Sequence, residues 1–117
     1  GLLFSRTGDW NGTTLVPPAW VLESTQPTAS DMDYGLHWWS FNGGSSFAAI
    51  GADGQSIWVF PSFDLIVLRN GLYEKRGAAD DYSVLGGTYH KTEDPGDFES
   101  GQLLSLIFDA LNDNPFN

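Results

Sequence analysis

Few side chains in this sequence could carry out chemistry. Cysteine is absent, so thiolate nucleophiles, thiolate metal sites and disulfides are excluded. The two histidines, His37 and His90, fall in different segments. His37 stands in an aromatic run and is expected to be packed or partly buried, while His90 beside Lys91 reads as surface loop. A serine activated by a lysine needs the spacing Ser-x-x-Lys, and neither Lys75 nor Lys91 has a serine three positions before it. A Tyr-x-Asn or Tyr-x-Ser proton relay is missing too, because Tyr34, Tyr73, Tyr82 and Tyr89 are followed at the second position by Leu, Lys, Val and Lys. Neither Gly-x-Ser-x-Gly nor the phosphate loop Gly-x-x-x-x-Gly-Lys occurs. The acidic pairs Asp31/Asp33, Asp80/Asp81 and Asp94/Asp97 lack the spacing of a calcium loop and read as solvated turns. No metal and no cofactor is expected.

Charge narrows the partners. Five Lys and Arg against fifteen Asp and Glu give a net charge of −10. A nucleic-acid backbone would repel such a surface, and an anionic membrane is disfavoured for the same reason. The longest apolar runs, such as 57–61, are far too short to span a bilayer. With 117 residues the chain has the size of one domain, able to bury about two-thirds of its unfolded surface. Its 41% hydrophobic content and five tryptophans argue against disorder. The first residues carry no basic leader, so they are not read as a secretory signal. The chain begins without Met, and processing or truncation is expected.

The elements that would position a site follow from pattern. Residues 1–5 read as the last turn of a helix. Asp9-Trp10-Asn11-Gly12 is a turn, since Asn-Gly tolerates the positive φ angles of tight turns; Asn11-Gly12-Thr13 also fits a glycosylation sequon. Pro17 and Pro18 open a short helix, because a missing N–H is harmless in the first helical turn. An aromatic strand is predicted over 35–41, a turn over 42–46, a strand over 47–52 and a hairpin turn at Asp53-Gly54. Strands over 55–60 and 65–69 complete an antiparallel meander. The third of these strands is apolar on both faces, through Ile57/Val59 and Trp58/Phe60, and should be covered on both sides. Residues 70–99, rich in Gly and Asp, read as a long surface connection. Leu103, Ile107, Ala110 and Leu111, widened by Leu104 and Phe108, predict an amphipathic C-terminal helix.

In this order, several strings resemble the C-terminal part of the serine beta-lactamase-like hydrolases, the family of class C beta-lactamases, penicillin-binding proteins, esterases and 6-aminohexanoate-dimer hydrolase. The strings are Asp9-Trp10-Asn11-Gly12 with Leu15-Val16-Pro17-Pro18-Ala19-Trp20-Val21, then Tyr34-Gly35-Leu36-His37-Trp38-Trp39. Phe47-Ala48-Ala49-Ile50-Gly51-Ala52-Asp53-Gly54-Gln55 follows, and Trp58-Val59-Phe60-Pro61 with Asp64-Leu65-Ile66-Val67 completes the set. They cover roughly residues 1–70.

The resemblance implies an α+β chain: an antiparallel meander and a covering C-terminal helix within an α/β/α sandwich, incomplete by itself. It treats residues 1–117 as the C-terminal part of one hydrolase domain. It also implies a substrate-binding strand carrying a Lys-Thr-Gly or His-x-Gly triplet, which falls here on Ala49, Ile50 and Gly51, without the basic first residue. Gly51 would let substrate lie close to the strand, and the backbone N–H of Ala52 would be one oxyanion-hole donor. The nucleophile would come from a missing N-terminal segment, so the chain alone should be inactive. The expected partners are that segment, or a second copy, and a small-molecule substrate. A periplasmic or secreted location follows from the resemblance only. The alternative is a small aromatic-rich β module binding carbohydrate or peptide: the adjacent Trp38 and Trp39 must point to opposite faces if they lie on a strand, and one could meet a ligand.

Overall fold

A computed structural model describes residues 1–30, 33–51, 54–71, 82–84, 87–89 and 100–112. The fold is α+β, and the chain divides into two compact units, Gly1–Tyr73 and Glu74–Asn117.

The first unit opens with α1 (Leu2–Ser5), followed by the hairpin of β1 (Asp9–Trp10) and β2 (Thr13–Thr14). Its register, Asp9↔Thr14 and Trp10↔Thr13, leaves Asn11-Gly12 as a two-residue turn with φ of 54° and 83°. Positive φ at both positions matches the twist of the strands, and Asn-Gly tolerates it. The Gly12 N–H donates to Asp9 Oδ1 at 3.0 Å and closes the turn. The turn expected at this place is thus present with a short strand on each side.

Helix α2 (Pro18–Thr25) starts where the prolines place it, with Pro17 as its cap. Val21 is buried, and the Ser24 and Thr25 hydroxyls turn back to the Val21 carbonyl at 3.1 and 2.9 Å. Each polar side chain thereby enters the interior with its hydrogen bond made. The helix stops at Gln26, which is extended ahead of Pro27.

The sheet is an antiparallel meander in the order β3 (Trp39–Phe41), β4 (Ser46–Ile50), β5 (Ser56–Phe60), β6 (Leu65–Arg69). Its register aligns Trp39↔Ala48↔Trp58↔Val67 and Ser40↔Phe47↔Val59↔Ile66 in cross-strand rows. Successive rows face opposite sides of the sheet. On one side Phe47 and Val59 are buried, Trp38 lies edge-on to Phe47 at 5.0 Å, and Phe4 of α1 meets Trp38 at 4.9 Å. Burying a side chain of this kind contributes about 1.5–3 kcal/mol. On the other side Phe41 packs against Trp58 at 5.3 Å, while Trp39 stays 40% exposed.

The aromatic strand is shorter than its composition predicts, beginning at Trp39 rather than residue 35. The Gly35 N–H donates to the Trp38 carbonyl at 2.8 Å, and Tyr34 bridges Trp39. Residues 34–39 therefore fold back as a tight hairpin, with Leu36 and His37 at its tip. His37 takes φ of 69° and is exposed, which corrects its expected place as a packed strand residue. Gly35 is pressed against the C-terminal end of α2: a Cβ there would sit 2.6 Å from the Gln26 carbonyl oxygen and closer still to that of Ser24. Only glycine permits that approach.

In the second unit β7 (Tyr82–Val84) pairs antiparallel with β8 (Gly87–Tyr89), inside the stretch read as a surface connection. Three-residue strands are too short for alternation to stand out from a background of Gly and Asp. Helix α3 (Ser100–Asn112) forms as its periodicity predicts. Leu103, Leu104, Ile107, Phe108 and Leu111 are half-buried, whereas Ala110 is exposed. No helix among the described residues is long and apolar enough to cross a membrane.

Candidate functional site

A pocket of about 350 Å³ opens at one end of the meander. Its wall consists of consecutive residues on three strands: Ala49, Ile50 and Gly51 at the end of β4, Gln55, Ser56 and Ile57 at the start of β5, and Leu68, Arg69 and Asn70 at the end of β6. Tyr34, His37 and Trp39 complete it from the hairpin that precedes β4.

Strand pairing explains why a cavity forms here. The β3–β4 ladder ends at Trp39↔Ala48, because the chain before Trp39 folds back on itself. The β4–β5 ladder continues to Ile50↔Ser56 and then to a bond from the Gly51 N–H to the Gln55 carbonyl at 2.8 Å. Backbone groups of successive residues point to opposite edges of a strand. Since Gly51 points to β5, Ile50 points to the other edge, beyond the last pair of β3. The Ile50 N–H and C=O are therefore directed at the open side, and its side chain is 45% exposed.

The pocket wall is held from below. Arg69 Nη1 donates to the Gly54 carbonyl and Gln55 Nε2 to the Gly71 carbonyl at 2.7 Å. These bonds tie the β4–β5 connection to the end of β6. Ser56 is only 7% exposed, in the row Ile50↔Ser56↔Arg69. Tyr34 meets Trp39 edge-on with ring centroids 4.9 Å apart, an apolar panel with a phenol at its border. Among the described residues the lining carries an imidazole, His37, and a guanidinium, Arg69, and no carboxylate, in a chain whose net charge is −10.

All three residues of the expected substrate strand, Ala49, Ile50 and Gly51, line this pocket. Ala52, the expected oxyanion-hole donor, lies outside the described residues, as does Asp53 of the hairpin turn. The sequence reading missed Tyr34, Ser56 and Arg69 as wall residues, left open which of Trp38 and Trp39 could meet a ligand, and gave His37 a different place. Only Arg69, a cation closing an apolar strand, carried a signal that could have marked it. Among the described residues, no group of three or more His, Cys, Asp or Glu could hold a metal ion.

No family model matches the chain, and no curated protein matches it.

Proposed function

We propose that this chain forms the substrate-binding wall of a beta-lactamase-like serine hydrolase, with the nucleophilic serine supplied by a segment outside these 117 residues. The observation that supports this reading is the open backbone edge at Ile50, set in a pocket by the triplet that the family resemblance points to. An edge whose N–H and C=O have no partner among the described residues can align an amide or ester beside a nucleophile, which converts a bimolecular reaction into an oriented one. In the complete enzyme the serine oxygen would attack the acyl carbon, and the alcohol or amine would leave with a proton. Water would then cleave the acyl-serine. The Ala52 N–H would face the oxyanion formed in each step.

The test is reconstitution. The purified chain should hydrolyse neither p-nitrophenyl acetate nor a chromogenic lactam above background. Co-expression with the segment encoded upstream should give turnover of at least one of them. In that complex Ala52→Pro should lower turnover several hundredfold, and Ala52→Gly should retain most of it. Stoichiometric labelling of the isolated chain by a fluorophosphonate, or a stable complex without turnover, would overturn the proposal.

A second reading rests on the exposed Trp39 beside Tyr34. Such a panel suits a noncatalytic module that stacks a sugar or peptide ring. Saturable, sugar-dependent quenching of tryptophan fluorescence, abolished in Trp39→Ala, would favour it.

A further inference from the structure

We propose that His37 is a ligand-contacting residue of this pocket, whose imidazole hydrogen-bonds a secondary-amide ligand lying along the open edge at Ile50. The inference deepens the reading of the pocket as an acyl-substrate site and rests on it for the ligand's place. It starts from a residue in an uncommon backbone conformation. In the tight turn between Gly35 and Trp38, the second central position has φ of 69°. Glycine or asparagine ordinarily occupies such a position. Histidine is, with Asn and Asp, among the L residues enriched there, although positive φ is uncommon for any side chain. Strain of this kind persists where the surroundings over-determine it, and such places cluster at ligand sites.

The surroundings do over-determine it. Gly35 is wedged against the Ser24 and Gln26 carbonyls, the Leu36 N–H donates to the Ser24 carbonyl at 2.9 Å, and Tyr34 bridges Trp39. The turn is thus fastened to the end of α2 on one side and to β3 on the other. Nothing about this anchoring uses the imidazole, which is exposed and lines the pocket. Counting back from Trp39↔Ala48, His37 would pair with Ile50 if β3 continued. The turn instead lifts the chain away at that point, so a backbone donor and acceptor on Ile50 and a ring on His37 border the same space. The imidazole also brings a basic group into a pocket whose triplet begins with Ala49.

A secondary amide is the ligand chemistry that this set fits. Two such amides flanking one substituted carbon present an N–H and a C=O on the same side, and these complement the Ile50 C=O and N–H, as in antiparallel strand pairing. Trp39 and Tyr34 accept an apolar substituent. His37 offers a ring nitrogen, as donor or acceptor, to the ligand's next polar group.

The experiment uses the whole 117-residue chain and N-acetylphenylalanine N-methylamide as probe, followed by NMR with side-chain detection of the histidines. Saturable shifts are expected at the Ile50 amide and the His37 ring, with the His90 ring unmoved. His37→Gly should weaken binding about tenfold or more without lowering the thermal midpoint, since glycine suits the turn. His37→Asn, which also tolerates positive φ and can hydrogen-bond, should recover part of the affinity. The analogue methylated on the acetamide nitrogen, which lacks the N–H that meets the Ile50 carbonyl, should bind several-fold more weakly. Absence of saturable binding, binding that leaves His37 unmoved, or wild-type affinity in His37→Gly would each overturn the assignment. These outcomes do not depend on a nucleophile: failure of the reconstituted hydrolase with intact, His37-dependent probe binding would remove the hydrolase reading and leave this one.

Discussion

Strand β4 passes through two environments within five residues. Phe47 and Ala48 have a strand on each side and are 3% and 0% exposed. Ile50, two positions further, has a strand on one side only among the described residues and is 45% exposed. The composition hardly changes between the two stretches, since both are small or apolar. What changes is the neighbour: β3 stops at Trp39, and the backbone that served the fold at Ala48 becomes available at Ile50. A binding edge has been made here by ending one strand early, without altering the strand that carries it.

The sharpest way to break this comparison is at the side chains. Phe47→Ala should lower the unfolding free energy by about 3–5 kcal/mol, because it leaves a cavity under Trp38. Ile50→Ala should cost less than about 1 kcal/mol, as nearly half of that side chain already meets solvent. Urea denaturation of both variants measures the difference, and comparable losses would contradict the two-environment description. Total stability of a domain is commonly only about 5–15 kcal/mol, so the Phe47 variant should show a visibly unfolded fraction.

Proline separates the two backbones next. Ala48→Pro deletes an N–H directed at Trp39 in the ladder and should cost on the order of 2–3 kcal/mol. Ile50→Pro deletes an N–H directed at the open edge, where proline is tolerated best, and should cost about 1 kcal/mol or less. The Ile50 variant should nevertheless lose binding of the amide probe, as titration would measure. Equal destabilisation by the two prolines would mean that the Ile50 N–H has a structural partner after all.

The smallest effect sharpens the picture of the interior. The Ser40 hydroxyl, on the residue opposite Phe47, is buried and without a hydrogen-bond partner among the described residues. Ser40→Ala should therefore raise stability by about 1 kcal/mol, read as a higher urea midpoint at unchanged slope. A loss of stability would place a bonded partner on that hydroxyl.

Much of the fold was legible because it is set by contacts close in the chain. The positive φ angles at Asn11 and Gly12 follow from residue type, and the start of α2 follows from Pro17 and Pro18. The meander β4–β5–β6 follows from apolar runs separated by turn residues, and α3 follows from a helical repeat of leucines and isoleucine. Ala49, Ile50 and Gly51 lie on the pocket wall. The hairpin of β7 and β8 was not, since three residues give alternation too little length to register.

Sequence alone thus determined the first turn, α2, the strands β4 to β6 and α3, because each of those preferences is spent within a few neighbouring residues. It could not determine where β3 ends or which of two adjacent tryptophans is covered. Trp38 goes inward because Phe4, more than thirty positions earlier, and Phe47 are there to meet it, leaving Trp39 to the pocket. The strand ends at Trp39 because Gly35 is seated against the carbonyls of Ser24 and Gln26, and Leu36 bonds to one of them. Those are contacts between segments, and no local pattern around His37 encodes them. Tertiary structure alone turned His37 out of its strand and opened the edge at Ile50.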